Sequence, residues 1–212
     1  MAWRSTALAL LAAWCLTAMA DPLADTQARF DALHGYQVTL RSADAAGTRQ
    51  VIRYFYRKPG WVRMEFEQPH RGAVLIYAPD KRRVRLWPFG AGSWPELDLA
   101  PDNPLLRDSS GHRVDRADLG ALLANIRALR ERGSAAPPSD TALDGRPATL
   151  LDIRGAAGDG TGRVQRYRVW LAQDLGLPLR VDSFAAAGAL IESVDMGDLR
   201  VDGPLPERFF TP

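Results

Sequence analysis

Histidine is scarce in this chain, and its three copies, His34, His70 and His112, stand far apart in turn or loop regions. No pair has the spacing of a metal-binding motif. One segment could in principle do nucleophilic chemistry. Ser109 and Ser110 lie near His112, and Asp115 follows three residues later. A hydrolytic triad needs a base held against a strained, exposed serine, yet no Gly-x-Ser-x-Gly turn is present. Ser109-Ser110-Gly111 reads instead as a turn before a helix. Glu96 and Asp98 are close in sequence but sit in an irregular segment, with nothing beyond proximity to make them an acid–base pair. The glycine-rich stretch Gly155 to Gly162 is too irregular for a phosphate loop and is not followed by a helix. The lone Cys15 lies in the N-terminal apolar run. The residues therefore argue for no enzyme, no cofactor and no metal, and function must come from architecture.

The first twenty residues have the form of a cleaved export signal. Arg4 supplies the positive start, Ala7 to Met19 the apolar run, and Ala18-Met19-Ala20 a small-x-small site. The run is short for a membrane span of about 20 residues. The reading is residues 1–20 as signal peptide and 21–212 as one domain, placed in the periplasm. No cysteine would remain, which excludes disulfides. Of 27 basic residues only Lys58 and Lys81 are lysine. A net charge of +2 on 212 residues lacks the basic excess that nucleic-acid binding requires.

Two helices are predicted. Asp21-Pro22 is an N-cap followed by proline at the first helical position, opening a helix to about Leu33, with Gly35 ending it. A second helix is expected from Val114 to Gly133, capped by Asp115. Its stripe Leu119, Leu122, Leu123, Ile126 and Leu129 recurs at helical spacing. The remainder is β, with nine or ten strands in consecutive hairpins. The segment 88–112 between them is irregular and long enough to suggest a functional loop.

The clearest strands run from Val51 to Tyr77. Ile52, Tyr54 and Tyr56 alternate with Arg53 and Arg57. After the Lys58-Pro59-Gly60 turn, Val62, Met64 and Phe66 alternate with Arg63 and Glu65. Period-two alternation marks an antiparallel sheet with one dry face. Two helices must cover about ten strands. A curved, incomplete barrel with helices across its mouth satisfies that demand and can enclose an apolar cavity for a lipid or acyl ligand. A fully packed core with no cavity satisfies it equally.

The run Tyr54-Phe-Tyr-Arg-Lys-Pro-Gly-Trp-Val-Arg-Met-Glu-Phe-Glu-Gln-Pro69 resembles the LolA family of periplasmic carriers for outer-membrane lipoproteins. The similarity continues through Val74 to Tyr77, Val84 to Trp87, Leu177 to Arg180, Gly188 to Ile191, Pro204 to Pro206 and Phe209-Phe210. The resemblance implies an α+β fold, an antiparallel unclosed (half) β-barrel with helices covering its concave face. It implies a cavity lined by Tyr54, Tyr56, Val62, Met64, Phe66, Val74, Ile76 and Phe30. The stripe Leu119, Leu122, Leu123, Ile126 and Leu129 becomes the lid. Lys58, where the family commonly carries arginine, and its neighbour Arg57 become the latch. The implied cargo is an acylated lipoprotein or another lipid carried toward the outer membrane. The implied partners are an inner-membrane export complex and an outer-membrane receptor, with only transient membrane contact. The missing glycine at Asp80-Lys81-Arg82 and the unmatched 88–112 segment mark a divergent subgroup. A periplasmic sensor or interaction module of the RseB-like half-barrel type is the alternative implication.

Overall fold

The computed structural model describes residues 21–106, 113–156, 164–206 and 208–211. The expected export signal, Ser109, Ser110 and His112 lie outside them. Helix α1 spans Pro22–Ala32 and α2 spans Leu119–Glu131. The strands are β1 (Gly35–Asp44), β2 (Arg49–Arg57), β3 (Trp61–Gln68), β4 (Val74–Ala78), β5 (Arg83–Trp87), β6 (Leu97–Leu99) and β7 (Gly133–Ala135). The series continues with β8 (Ser139–Leu143), β9 (Arg146–Gly155), β10 (Arg166–Ala172), β11 (Pro178–Phe184), β12 (Leu190–Asp195) and β13 (Arg200–Val201).

All thirteen strands form one antiparallel sheet in the order β6-β5-β4-β3-β2-β1-β12-β11-β10-β9-β7, with β8 on β9 and β13 on β1. The sheet is not closed, so the fold is the expected α+β half-barrel. Three strands beyond the expected number, β6, β7 and β13, are two or three residues long. That is too short for a period to register in sequence.

The ends of α1 follow the sequence signals. Asp21 Oδ1 accepts from the Leu23 N–H at 3.1 Å, and proline opens the first turn. The helix stops at Ala32, and Gly35 belongs to β1 rather than to a C-cap. A Cβ there would stand 2.5 Å from the Tyr56 carbonyl oxygen. The second helix begins later than expected. Val114–Arg116 is a separate 3₁₀ turn, and Asp118 is the N-cap of α2, accepting from the Ala121 N–H at 3.0 Å. Asp115 is engaged elsewhere, taking two hydrogen bonds from Arg113 at 3.0 and 2.8 Å.

Register fixes which side chains share a face. Tyr54 pairs with Met64, Met64 with Leu75, and Leu75 with Leu86. This row belongs to the concave face, with α1 and α2 packed over part of it. The convex face carries a second small core of Phe55, Val74, Ile76 and Trp87, closed by Phe210 of the C-terminal segment. Phe209 meets Phe55 edge-on at 4.7 Å, and Arg63 donates to the Phe209 carbonyl oxygen at 2.8 Å. A third cluster, Ala148, Trp170, Ala172 and Leu179, is also separate from the main core. Apolar groups on both faces of a strand remove the alternation that an exposed sheet would show.

Candidate functional site: an apolar cavity on the concave face

The two helices do not cover the whole concave face. Between the sheet, the first turn of α2 and the 113–118 segment lies a cavity of about 890 Å³. This is near the upper end of the roughly 300–1,000 Å³ seen for small-molecule sites. Its floor is Val38 and Leu40 of β1, Ile52 and Tyr54 of β2, and Met64 and Phe66 of β3. Leu75, Leu86 and Leu97 extend it toward one sheet edge, and Tyr167, Val181 and Val194 toward the other. Leu119 and Leu122 form the helical side. Leu40, Ile52, Met64, Phe66, Leu86 and Leu122 are left only half-buried although they occupy the dry face.

The expected lining residues divide three ways. Tyr54, Met64 and Phe66 border the cavity. Tyr56, Val62 and Phe30 lie on the same face but in the packed core, where Phe30 meets the Tyr56 ring at 5.9 Å. Val74 and Ile76 require correction, because their side chains are on the convex face. Val74 pairs with Glu65 and Ile76 with Arg63, so Leu75 and Ala73 take the cavity positions instead. Residues 73–77 of this segment are all apolar, and without alternation only register decides which half faces inward.

The expected lid also divides. Leu119 and Leu122 face the cavity, whereas Leu123, Ile126 and Leu129 are buried in the main core. Close approach of the two helices explains this. A Cβ on Gly120 would stand 2.7 Å from the Phe30 ring.

Neither expected latch residue makes a hydrogen bond or ring contact with α2. Arg57 points to the convex side, where its guanidinium lies 4.6 Å from the Phe210 ring centroid and 5.7 Å from that of Trp61. Lys58 Nζ donates to the Asp31 carbonyl oxygen at 2.5 Å and lies 5.4 Å from the Phe30 ring. The β2–β3 turn therefore holds the end of α1. Helix α1 in turn holds α2, through Arg130 to Asp21 at 2.8 Å and Arg127 to Gln27 at 2.7 Å. The Arg130 guanidinium lowers the Asp21 pKa below its ordinary value.

Polar groups line the cavity near the start of α2 and along the rim, and again where Ser42, Gln50, Ser183 and the buried Glu192 border it from β1, β2, β11 and β12. Tyr36 and Tyr54 stack at 5.8 Å. The Tyr36 hydroxyl oxygen accepts from the Leu119 N–H at 3.0 Å, while the buried Tyr54 hydroxyl lies near Tyr36 without a well-aligned hydrogen bond among the described residues. Burial raises both phenol pKa values well above the ordinary range. Tyr56 is pushed up to about 12 for the same reason. None of the three is poised to ionise near neutral pH. His70, Arg71, Arg113, Arg116 and Asp118 are the charged or titratable groups along the opening and the start of α2. The described residues contain no group of three or more His, Cys, Asp or Glu that could hold a metal ion. Sequence reasoning missed Leu40, Leu75, Leu86 and the rim cations. Alternation already puts Ile52 on the dry face with Tyr54, but the rim groups come from turns and loops that carry no periodic signal.

Solved structures share this architecture at low identity. An uncharacterized conserved protein from Thermus thermophilus aligns over 90% of this chain and 91% of its own, with 11% identity and a TM-score of 0.55. In the MucA/MucB complex from Pseudomonas aeruginosa, a chain aligns over 89% of this one with 17% identity and a TM-score of 0.52. This protein spans only 61% of that chain. A LolA superfamily protein from Nitrosomonas europaea aligns over 90% and 96% of the two chains at 14% identity. Its TM-score is 0.37. Among curated proteins, none matches this sequence. The two structures with TM-scores above 0.5 share the fold that the sequence led us to expect. Residues 36–212 match the family described as "Protein of unknown function (DUF1571)", and the chain belongs to that family.

Proposed function

We propose that this protein is a non-enzymatic periplasmic carrier that binds acyl chains of lipoproteins or other lipids in the concave-face cavity for transfer toward the outer membrane. The single observation that carries this reading is the cavity itself: about 890 Å³, floored by half-buried Leu, Ile, Met and Phe side chains. Each methylene moved from water onto that floor contributes about 0.8 kcal/mol. A long acyl chain could thus gain on the order of 10 kcal/mol before ordering costs, with no catalytic group needed. The export signal expected in residues 1–20 supports the periplasmic location. The inner-membrane export complex and the outer-membrane receptor belong to the same proposal.

The test is mass spectrometry of lipids extracted from protein purified from an exporting host. Acylated species in stoichiometric amount support the carrier. The second reading, an RseB-like sensor or interaction module, draws on the likeness to the MucB fold, which the MucA/MucB complex shows engaged with a protein. A protein empty of lipid that instead retains a peptide segment in the cavity would favour that reading.

A further inference from the structure

Large exposed apolar side chains are normally scattered, and a cluster of them marks a contact surface. Among the described residues, three of the large exposed apolar side chains belong to the two segments that flank β6. Trp94 is 89% exposed, Phe89 74% and Leu105 72%. Phe89 and Trp94 share the β5–β6 loop, and Leu105 follows β6 in a 3₁₀ turn. Phe89 and Leu105 also line the cavity, so the exposed surface and the binding space are continuous. The turn between β3 and β4 joins them. A methyl group at Gly90 would stand 3.9 Å from the Gly72 carbonyl oxygen, and Arg71 and His70, just before Gly72, border the same cavity. Arg71 and Arg116 make no ion pair with a carboxylate among the described residues. Arg113, by contrast, is held by Asp115.

We propose that this rim is a membrane-contact surface. Trp94, Phe89 and Leu105 enter the interface of a bilayer containing anionic lipid, Arg71 and Arg116 face its headgroups, and the acyl ligand passes between bilayer and cavity past Phe89 and Leu105. Tryptophan suits this position because its ring is amphipathic and collects at membrane–water interfaces. Arginines near an anionic surface strengthen the attraction, and salt screens it. Exposed apolar side chains set beside Arg71 and Arg116 complement a bilayer surface, which offers an apolar interior beneath anionic headgroups. The route for the ligand rests on the carrier reading; the membrane contact does not.

The test is flotation of the purified protein with vesicles of phosphatidylcholine alone and of phosphatidylcholine mixed with phosphatidylglycerol. Binding is expected to the mixed vesicles and to weaken at high salt. Trp94→Ala should reduce binding about tenfold, and Arg71→Glu with Arg116→Glu should abolish the preference for anionic vesicles. Trp94 does not line the cavity, so Trp94→Ala should keep its melting temperature and its affinity for a fluorescent fatty acid. Flotation that is absent, or indifferent to these substitutions, overturns the proposal. So does a wild-type dimer that Trp94→Ala converts to monomer without changing flotation, which would make the rim a self-interface. Trp94-dependent flotation by a protein that binds no fatty acid would sink the carrier reading and leave the membrane contact standing. Fatty-acid binding without flotation would do the reverse.

Discussion

The phenolic oxygen of Tyr36, in β1, accepts a hydrogen bond from the backbone N–H of Leu119 at 3.0 Å. It thereby satisfies one of the amides that the first turn of α2 leaves without an intrahelical partner. Asp118 supplies the neighbouring cap. The start of the helix that flanks the cavity is thus pinned to the sheet by a buried tyrosine.

Tyr36→Phe should strand the Leu119 N–H in a buried position and cost about 1–3 kcal/mol. Tyr54→Phe removes a hydroxyl with no well-aligned hydrogen bond among the described residues, so it should change stability by less than about 0.5 kcal/mol or raise it. Urea denaturation of the two variants measures the contrast. Equal losses would mean that the Tyr54 hydroxyl is bonded after all.

Stability should fall in acid, in part through Asp152. Arg166 donates to it through Nε at 2.8 Å and through a second N–H, and this lowers its pKa below the ordinary 3.8. A carboxyl with a lowered folded-state pKa stabilises the fold above its unfolded value. That contribution is lost as pH falls from about 3.8 through the lower folded value. Asp152→Asn should therefore lower the urea midpoint at pH 7 and flatten its decline in acid. A variant that follows the wild-type decline in parallel would remove Asp152 from the account.

Lys58, in the β2–β3 turn, bonds to the end of α1 rather than latching α2. Lys58→Ala should cost about 1 kcal/mol through its bond to the Asp31 carbonyl. Amide exchange should quicken at the end of α1, with fatty-acid affinity unchanged. Faster exchange confined to α2 would restore the direct latch.

The legible part of the fold is the part with a period. Alternation from Ile52 to Phe66 specifies two strands and their dry face, and Asp21-Pro22 specifies where α1 begins. Val74 and Ile76 belong to the opposite face from the one expected, because residues 73–77 are apolar throughout and Phe210 covers the convex side. No local pattern announces a cover that arrives from the far end of the chain. The start of α2 differs from expectation because both Asp115 and Asp118 are competent caps; the ion pair with Arg113 engages Asp115, and the Tyr36 bond to the Leu119 N–H favours a start beside Asp118. The leucine stripe correctly marks a buried helix face. Its split between core and cavity depends on how closely Gly120 lets α2 approach Phe30.

The most direct measurement is a fluorescent fatty-acid titration of the wild type beside Met64→Glu and Ile76→Ala. Met64 borders the cavity, and Ile76 is buried on the opposite face. A carboxylate placed on the apolar floor should abolish saturable binding. Ile76→Ala should cost about 2–5 kcal/mol of stability yet bind like the wild type while it remains folded. A folded Met64→Glu protein that binds with wild-type affinity would contradict the cavity as the acyl site.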